Sequence, residues 1–308
     1  MNKKVIFMGT PQIATTCLQA LVNAGFDVPL VLSQPDMPKG RGGKVQFTPV
    51  KELALSLGIE VYQPQRFKDN QEAYEKLSAH NPDFFAVVAY GKILPQVILD
   101  IPRFAPINVH FSVLPRYRGA APVNWAIMNG DNHSGVTTMC MDAGMDTGNI
   151  LLMEKTLIGR KDAVELAEEL SAAGADLLIK TLKEFENIIP CVQNEKHATY
   201  APLMQKQTGL INWAKTADEI ERMPRAFVPW PCAYTYLDGK IIKIFDVIAD
   251  PGADAPIGIV YSVNKRSFSV GTGQGGLIIN ELQLEGKKRM STADFLAGFK
   301  LTTGVALG

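Results

Sequence analysis

Short apolar runs alternate with stretches of helical periodicity through the first half of the chain. Residues 5–8, 29–32, 84–89 and 106–110 are runs of strand length bounded by turn formers, and each reads as a buried strand. Between the first two, Ile13, Cys17, Leu18, Leu21 and Val22 share one helical face, and Gly25 marks where that helix stops. A longer helix is predicted after Asp162, whose side chain can cap the first turn while Glu165 returns the bond. Leu166, Leu170, Ala173, Leu177 and Leu182 carry its apolar face toward Phe185. Alternation of this kind predicts an α/β fold, a Rossmann-like and mostly parallel sheet covered on both sides.

From residue 190 to 208 the periodicity lapses into a polar stretch containing Pro190 and Pro202, which reads as a linker. Beyond Gly209 short strands follow closely, at 232–237, 240–247, 257–263, 267–270 and 277–284, with Asp238-Gly239 as a hairpin turn between the first two. A small β-barrel of the OB-like kind is predicted there. The expected organisation is a first domain over 1–189, a linker over 190–208 and a second domain over 209–308.

At 308 residues the chain favours two cores over one, and 46% hydrophobic with 20% charged residues is the balance of a globular protein. Formal net charge is zero, so a nucleic-acid partner must be argued from local patches. Cys17, Cys140, Cys191 and Cys232 are widely spaced, with no C-x-x-C pair or histidine cluster, and read as reduced thiols. The apolar run near the amino terminus is too short for a signal peptide. No run approaches the roughly eighteen apolar residues that span a bilayer. The expected location is the cytoplasm, with no membrane contact.

Candidate chemistry gathers between residues 107 and 149. Residues two apart on a strand share a face, so Asn108 and His110 project side by side where a parallel strand ends and a ligand crevice begins. An amide donor beside an imidazole suits stabilisation of an oxyanion, each donor being worth roughly 3 kcal/mol of barrier. Asp142 and Asp146 are the carboxylates available nearby. On N-x-H alone, a histidine satisfied within the fold is the better reading. Residues 87–94 read as a buried strand passing into a turn at Gly91, where backbone groups can meet a flat heterocycle; an ordinary core strand and turn fit the same pattern. Residues 38–44, P-K-G-R-G-G-K, form a basic, glycine-rich loop suited to phosphates, or simply a solvated loop, and they lack the P-loop spacing.

The segments Asn108-Val109-His110-x-Ser112-x-Leu114-Pro115-x-Tyr117-Arg118-Gly119 and Asp146-Thr147-Gly148 together resemble the motif of the folate-dependent formyltransferases. Further matches stand at 7–11 (F-M-G-T-P), 34–36 (Q-P-D), 87–91 (V-V-A-Y-G) and 225–231 (R-A-F-V-P-W-P), so the resemblance spans both domains. It implies a formyltransferase fold for the first domain and catalytic roles for Asn108, His110 and Asp146. It places folate contacts at Ser112, Val113, Leu114, Pro115, Tyr90, Gly91, Ile93, Leu94 and Asp142. It further implies 10-formyltetrahydrofolate as co-substrate without a metal, and initiator methionyl-tRNA as acceptor, with tRNA contacts at Lys39, Arg41 and Lys44 and in the second domain. We expect a monomer. Gln12-Ile13, Asn149 and Pro224 depart from the family pattern, and Pro224 is expected to bend or shorten its helix.

The nearest alternative is a formyltransferase acting on glycinamide ribonucleotide or a nucleotide-linked amino sugar. A dinucleotide-binding enzyme lacks support because G-x-G-x-x-G is missing after the first strand. An aspartic protease would need a second D-T-G. A binding module without catalysis would tolerate His110→Ala.

Overall fold

The computed structural model describes residues 3–39 and 44–308, with 38, 39 and 44 described by backbone alone. Up to residue 202 the elements are β1 (Val5–Gly9), α1 (Gln12–Asn23), β2 (Leu30–Leu32), β3 (Met37–Lys39), β4 (Lys44–Gln46), α2 (Pro49–Ser56), β5 (Glu60–Tyr62), α3 (Gln71–Ala79), β6 (Phe84–Val88), α4 (Gln96–Leu99), β7 (Ala105–His110), β8 (Arg118–Gly119), α5 (Pro122–Met128), β9 (His133–Cys140), β10 (Ile150–Leu157), α6 (Ala163–Glu184) and β11 (Tyr200–Ala201). The chain divides into two units. The first comprises Met1–Pro122, His133–Leu157 and Ala167–Pro202; the second comprises Val123–Asn132, Ile158–Leu166 and Leu203–Gly308.

The first unit is built on a seven-stranded sheet in the order β10-β9-β7-β6-β1-β2-β5. The five strands from β7 to β5 are parallel, and β9 and β10 run antiparallel at one side. β1 and β6 are buried along their whole length, as strands covered on both faces must be, which explains their unbroken apolar sequence. The chain moves outward from β1 through β2 to β5, then returns to lay β6 on the other side of β1. That reversal opens a crevice outside the carboxyl ends of β1 and β6, the place where such sheets hold ligands.

The helices follow the predicted signals. α1 buries Ala14, Cys17, Leu18 and Leu21, and Gly25 ends it at φ 79, with the Phe26 amide donating back to the Leu21 carbonyl. Ahead of α6, Asp162 accepts from the amides of Val164 and Glu165, and Glu165 accepts from the Asp162 amide at 2.9 Å. β5, β9 and β10 were not expected. β9 is hard to read from sequence because its buried residues include Ser134, Thr137 and Thr138, whose hydroxyls interrupt an apolar run. Within the fold Thr137 bonds the Ser112 carbonyl, and Thr138 bonds the Thr181 hydroxyl.

The stretch read as a linker, 190–208, belongs to the first unit as far as Pro202. Cys191 forms an antiparallel bridge with Ile150, and β11 pairs in parallel with β8. Most of its residues are exposed, while Gln193 is buried and Thr199 Oγ1 accepts from the Tyr117 amide.

In the second unit, α7 (Ala217–Ala226) precedes β12 (Ala233–Leu237), β13 (Lys240–Asp250), β14 (Val260–Val263), β15 (Phe268–Gly271), β16 (Gly276–Leu284), β17 (Met290–Ser291) and α8 (Thr292–Gly298). The strands form an antiparallel sheet in the order β12-β13-β16-β15-β14, with β17 on β16. Asp238 and Gly239 make the predicted hairpin, with φ 49 and 75. Residues 304–308 bridge the two outermost strands. The Gly304 amide donates to the Val260 carbonyl, the Val260 amide to the Val305 carbonyl, and the Gly308 amide to the Tyr236 carbonyl. α7 is capped reciprocally by Thr216 and Glu219, and it continues through Pro224 to Ala226, so the proline neither ends nor shortens the helix at its own position. Earlier segments of the chain join this unit by hydrogen bonds from Asn124 to the Ala226 carbonyl and from Arg222 to the Met128 carbonyl. No helix among the described residues is long and apolar enough to cross a membrane.

Candidate active site

Asn108 and His110 stand at the carboxyl end of β7, both buried, on one face of the strand. The carboxylate of Asp146 draws them together. Asn108 Nδ2 donates to Oδ1 at 3.3 Å, His110 Nδ1 lies 3.6 Å from Oδ2, and the Gly119 amide donates to Oδ2 at 2.8 Å. His110 Nε2 is 2.9 Å from the Tyr117 carbonyl. A carbonyl only accepts, so Nε2 carries the hydrogen and Nδ1 is the nitrogen turned toward Asp146.

Two loops hold this corner. In the first, Thr137 Oγ1 donates to the Ser112 carbonyl at 2.6 Å and accepts from the Leu114 amide, while Ser112 Oγ donates to the Arg116 carbonyl. The Leu114–Pro115 bond is cis, and Tyr117 has φ 61. The side chains of Ser112 and Leu114 point into the fold, and Val113 and Pro115 are half-buried. In the second loop, Asp142 Oδ1 accepts from the Gly144 amide and from Thr147 Oγ1, so this exposed residue shapes the D-T-G turn. Gly148 has no room for a Cβ, which would lie 1.7 Å from the Cys140 carbonyl oxygen.

Sequence reasoning missed a third support. Gln193 Nε2 donates to the carbonyls of Asp146 at 2.8 Å and Gly148 at 2.7 Å. Its Oε1 accepts from Arg118 Nε and Nη2. Arg118 is wholly buried, and its outer edge meets both carboxylate oxygens of Glu195, at 2.9 and 2.7 Å. That bidentate bond raises the Arg118 pKa and lowers that of Glu195. Nothing in the polar 190–208 stretch signals a buried glutamine.

The 87–94 turn lies at the end of the neighbouring strand β6. Thr10 Oγ1 donates to the Tyr90 carbonyl at 3.0 Å, and Gln34 Nε2 donates to the carbonyls of Tyr90 and Gly91 at 3.1 and 2.9 Å. The F-M-G-T-P and Q-P-D segments therefore converge on V-V-A-Y-G. Gly91 has φ 77, and a Cβ there would lie 2.5 Å from Gln34 Nε2. Tyr90 and Leu94 belong to the core beneath the turn, and burial pushes the Tyr90 phenol pKa up. Gly91 and Ile93, with Gln34, Met37, Phe67 and Lys92, line a cavity of about 760 Å³. Ile93 is 89% exposed in it. Of the expected tRNA contacts, Lys39 and Lys44 face each other in the β3–β4 pair, and Arg41 lies outside the described residues.

The mostly parallel sheet thus presents an amide and an imidazole at the end of β7, met by the Asp146 carboxylate from the loop between β9 and β10. The chain belongs to the formyl transferase family, whose model matches residues 2–182, with the formyl transferase C-terminal domain matching 203–300. Within it, the chain is 46% identical to the methionyl-tRNA formyltransferase of Lachnospira eligens, covering 99% of both chains. It is likewise 46% identical to the methionyl-tRNA formyltransferase of Citrifermentans bemidjiense, over 99% of this chain and 96% of that one. Among solved structures, HypX from Aquifex aeolicus in complex with tetrahydrofolic acid shares the fold with a TM-score of 0.65 at 16% identity. That match covers 99% of this chain and 51% of HypX.

Proposed function

We propose that the chain transfers the formyl group of 10-formyltetrahydrofolate to the methionine amino group of initiator methionyl-tRNA, serving translation initiation. The observation that carries the reading is the Asn108–Asp146–His110 cluster beside the crevice of the parallel sheet. Relatives of that activity, aligned over nearly their whole length, supply the substrate. The folate donor supplies an activated formyl carbon. A cavity with Met37, Phe67 and Ile93 in its lining fits a flat heterocycle in character and size, with Gly91 and Ile93 as the residues that meet it. Tyr90 and Leu94 back the turn, Ser112, Val113, Leu114 and Pro115 shape the loop beside the formyl end, and Asp142 shapes the turn that carries Asp146.

Attack by the neutral amine on the formyl carbon develops negative charge on its oxygen, which Asn108 Nδ2 stabilises with its second hydrogen and His110 stabilises through Nδ1 when that nitrogen carries a proton, Nε2–H staying on the Tyr117 carbonyl. Asp146 orients both and removes the amine proton, directly or through a water. Collapse then returns a proton to the departing nitrogen of the donor. No metal enters these steps. We assign the chemistry to residues 1–189 and tRNA contacts to 209–308 and to Lys39, Arg41 and Lys44, with 190–208 between, in a cytoplasmic monomer.

Incubation of the purified chain with the folate donor and charged initiator tRNA, followed by detection of N-formylmethionine, tests the reading. Formylation of glycinamide ribonucleotide or an amino sugar with none on charged tRNA overturns the substrate assignment.

A further inference from the structure

The carboxylate at the centre of the site sits on a turn whose own bonds leave the carbonyls of Asp146 and Gly148 to a partner outside it. Asp146 has φ 54, a left-handed conformation that a non-glycine residue adopts at a cost. Within the loop the Gly144 amide and the Thr147 hydroxyl donate to Asp142 Oδ1, and the Cys140 amide donates to the Asn149 carbonyl. The carbonyls of Asp146 and Gly148 are both taken by one side-chain amide, that of Gln193, which is 6% exposed.

That amide has one satisfactory orientation. Its nitrogen has two hydrogens and two carbonyls to meet, and its oxygen faces two N–H groups of Arg118 at 3.1 and 2.9 Å. Turning it over would set NH₂ against a guanidinium and oxygen against two carbonyls, so four bonds become four repulsions. Arg118 is 0% exposed and stays charged throughout the working pH range, and Glu195 fixes its far edge. Orientation therefore passes from a permanent buried charge, through a neutral amide, to the backbone carrying Asp146.

We propose that Gln193, oriented by the buried guanidinium of Arg118, is a positioning residue that fixes Asp146 for the transfer step. The assignment rests on the catalytic role given to Asp146 above. Gln193 touches neither substrate nor reacting atoms; it sets where the carboxylate stands relative to Asn108 and His110.

The test is a double-mutant cycle on the full chain with kcat and KM measured separately. Gln193→Leu removes all four bonds, and Gln193→Glu keeps the acceptor for Arg118 while removing both donors to the turn. Each is expected to lower kcat about 10- to 100-fold, the scale of a misplaced catalytic group, with both KM values within about threefold. In an Asp146→Asn background the same substitutions are expected to cost no more than about twofold further, since nothing remains to be positioned. Losses that multiply in that background overturn the proposal while leaving the role of Asp146 intact. Near-parental turnover in Asp146→Asn alone overturns the catalytic reading, and this assignment with it. Variants with lowered Tm but parental kcat per folded molecule assign Gln193 to stability alone, which also overturns the proposal.

Discussion

The end of β7 and the end of β6 are neighbouring strand ends built on opposite plans. At β7, under the function proposed above, the side chains are the working parts. Asn108, His110 and Asp146 are held against one another, and every polar atom of the Asp146 carboxylate has a partner. At β6 the backbone is held, by Thr10 and Gln34, while Ile93 stands open in the cavity. A site that stabilises charge must be arranged before the reaction, because reorganising dipoles during it raises the barrier. A site that admits a ligand needs a fixed rim and a vacant interior.

The two plans predict different failures. The largest belongs to β7: Asn108→Ala, His110→Ala and Asp146→Ala are each expected to lower kcat at least about a hundredfold, the scale of a lost oxyanion donor or general acid/base. Steady-state kinetics on charged tRNA checks this, and near-normal turnover in the three variants removes the distinction. At β6 the loss should fall on binding. Gly91→Ala adds a Cβ against Gln34 at φ 77, and we expect a KM for the folate donor about tenfold higher, with kcat within about threefold. A kcat loss equal to that of His110→Ala would mean that the turn belongs to the chemistry. Ile93→Ala should raise the same KM only a few-fold and leave stability within about 0.5 kcal/mol, read by titration and thermal melting, because the side chain is already exposed.

The smallest effect concerns acid. The hydrogen bond from Arg118, first, and its charge, after the opposing cost of burial, hold the Glu195 carboxyl below its ordinary value. A depressed carboxyl contributes stability that is fully present above the unfolded value of about 4.3 and is lost as pH falls through the folded one. Melting temperature should therefore fall more steeply below about pH 4.3 in the parent than in Glu195→Gln, and equal slopes would show that the outer edge of Arg118 carries no linkage.

Legibility in the sequence followed the reach of each interaction. Asn108 and His110 are two apart on one strand, so local periodicity alone placed them together. Asp146 is 38 residues from Asn108, and only the family motif connected them. Gln34 reaches 57 residues to Gly91 and Gln193 reaches 47 to Asp146, each through bonds to backbone, which leave no trace in residue pattern. The polar stretch after Pro190 shows the same limit. Most of its residues are exposed, as a linker's would be, and the buried Gln193 among them is marked by nothing in the pattern. Unbroken apolar strands such as β1 and β6 were visible, and β9, with three buried hydroxyl residues, was not.

The bridge made by residues 304–308 bears on how the antiparallel sheet avoids its own kind. A bare outer strand offers a row of unpaired amides and carbonyls on which another chain can add, the usual beginning of strand exchange and fibre growth. Here five residues cover part of two such borders at once, on β14 and on β12. Clipping them frees the Val260 groups on β14 and the Tyr236 carbonyl on β12, so their removal is expected to favour self-association.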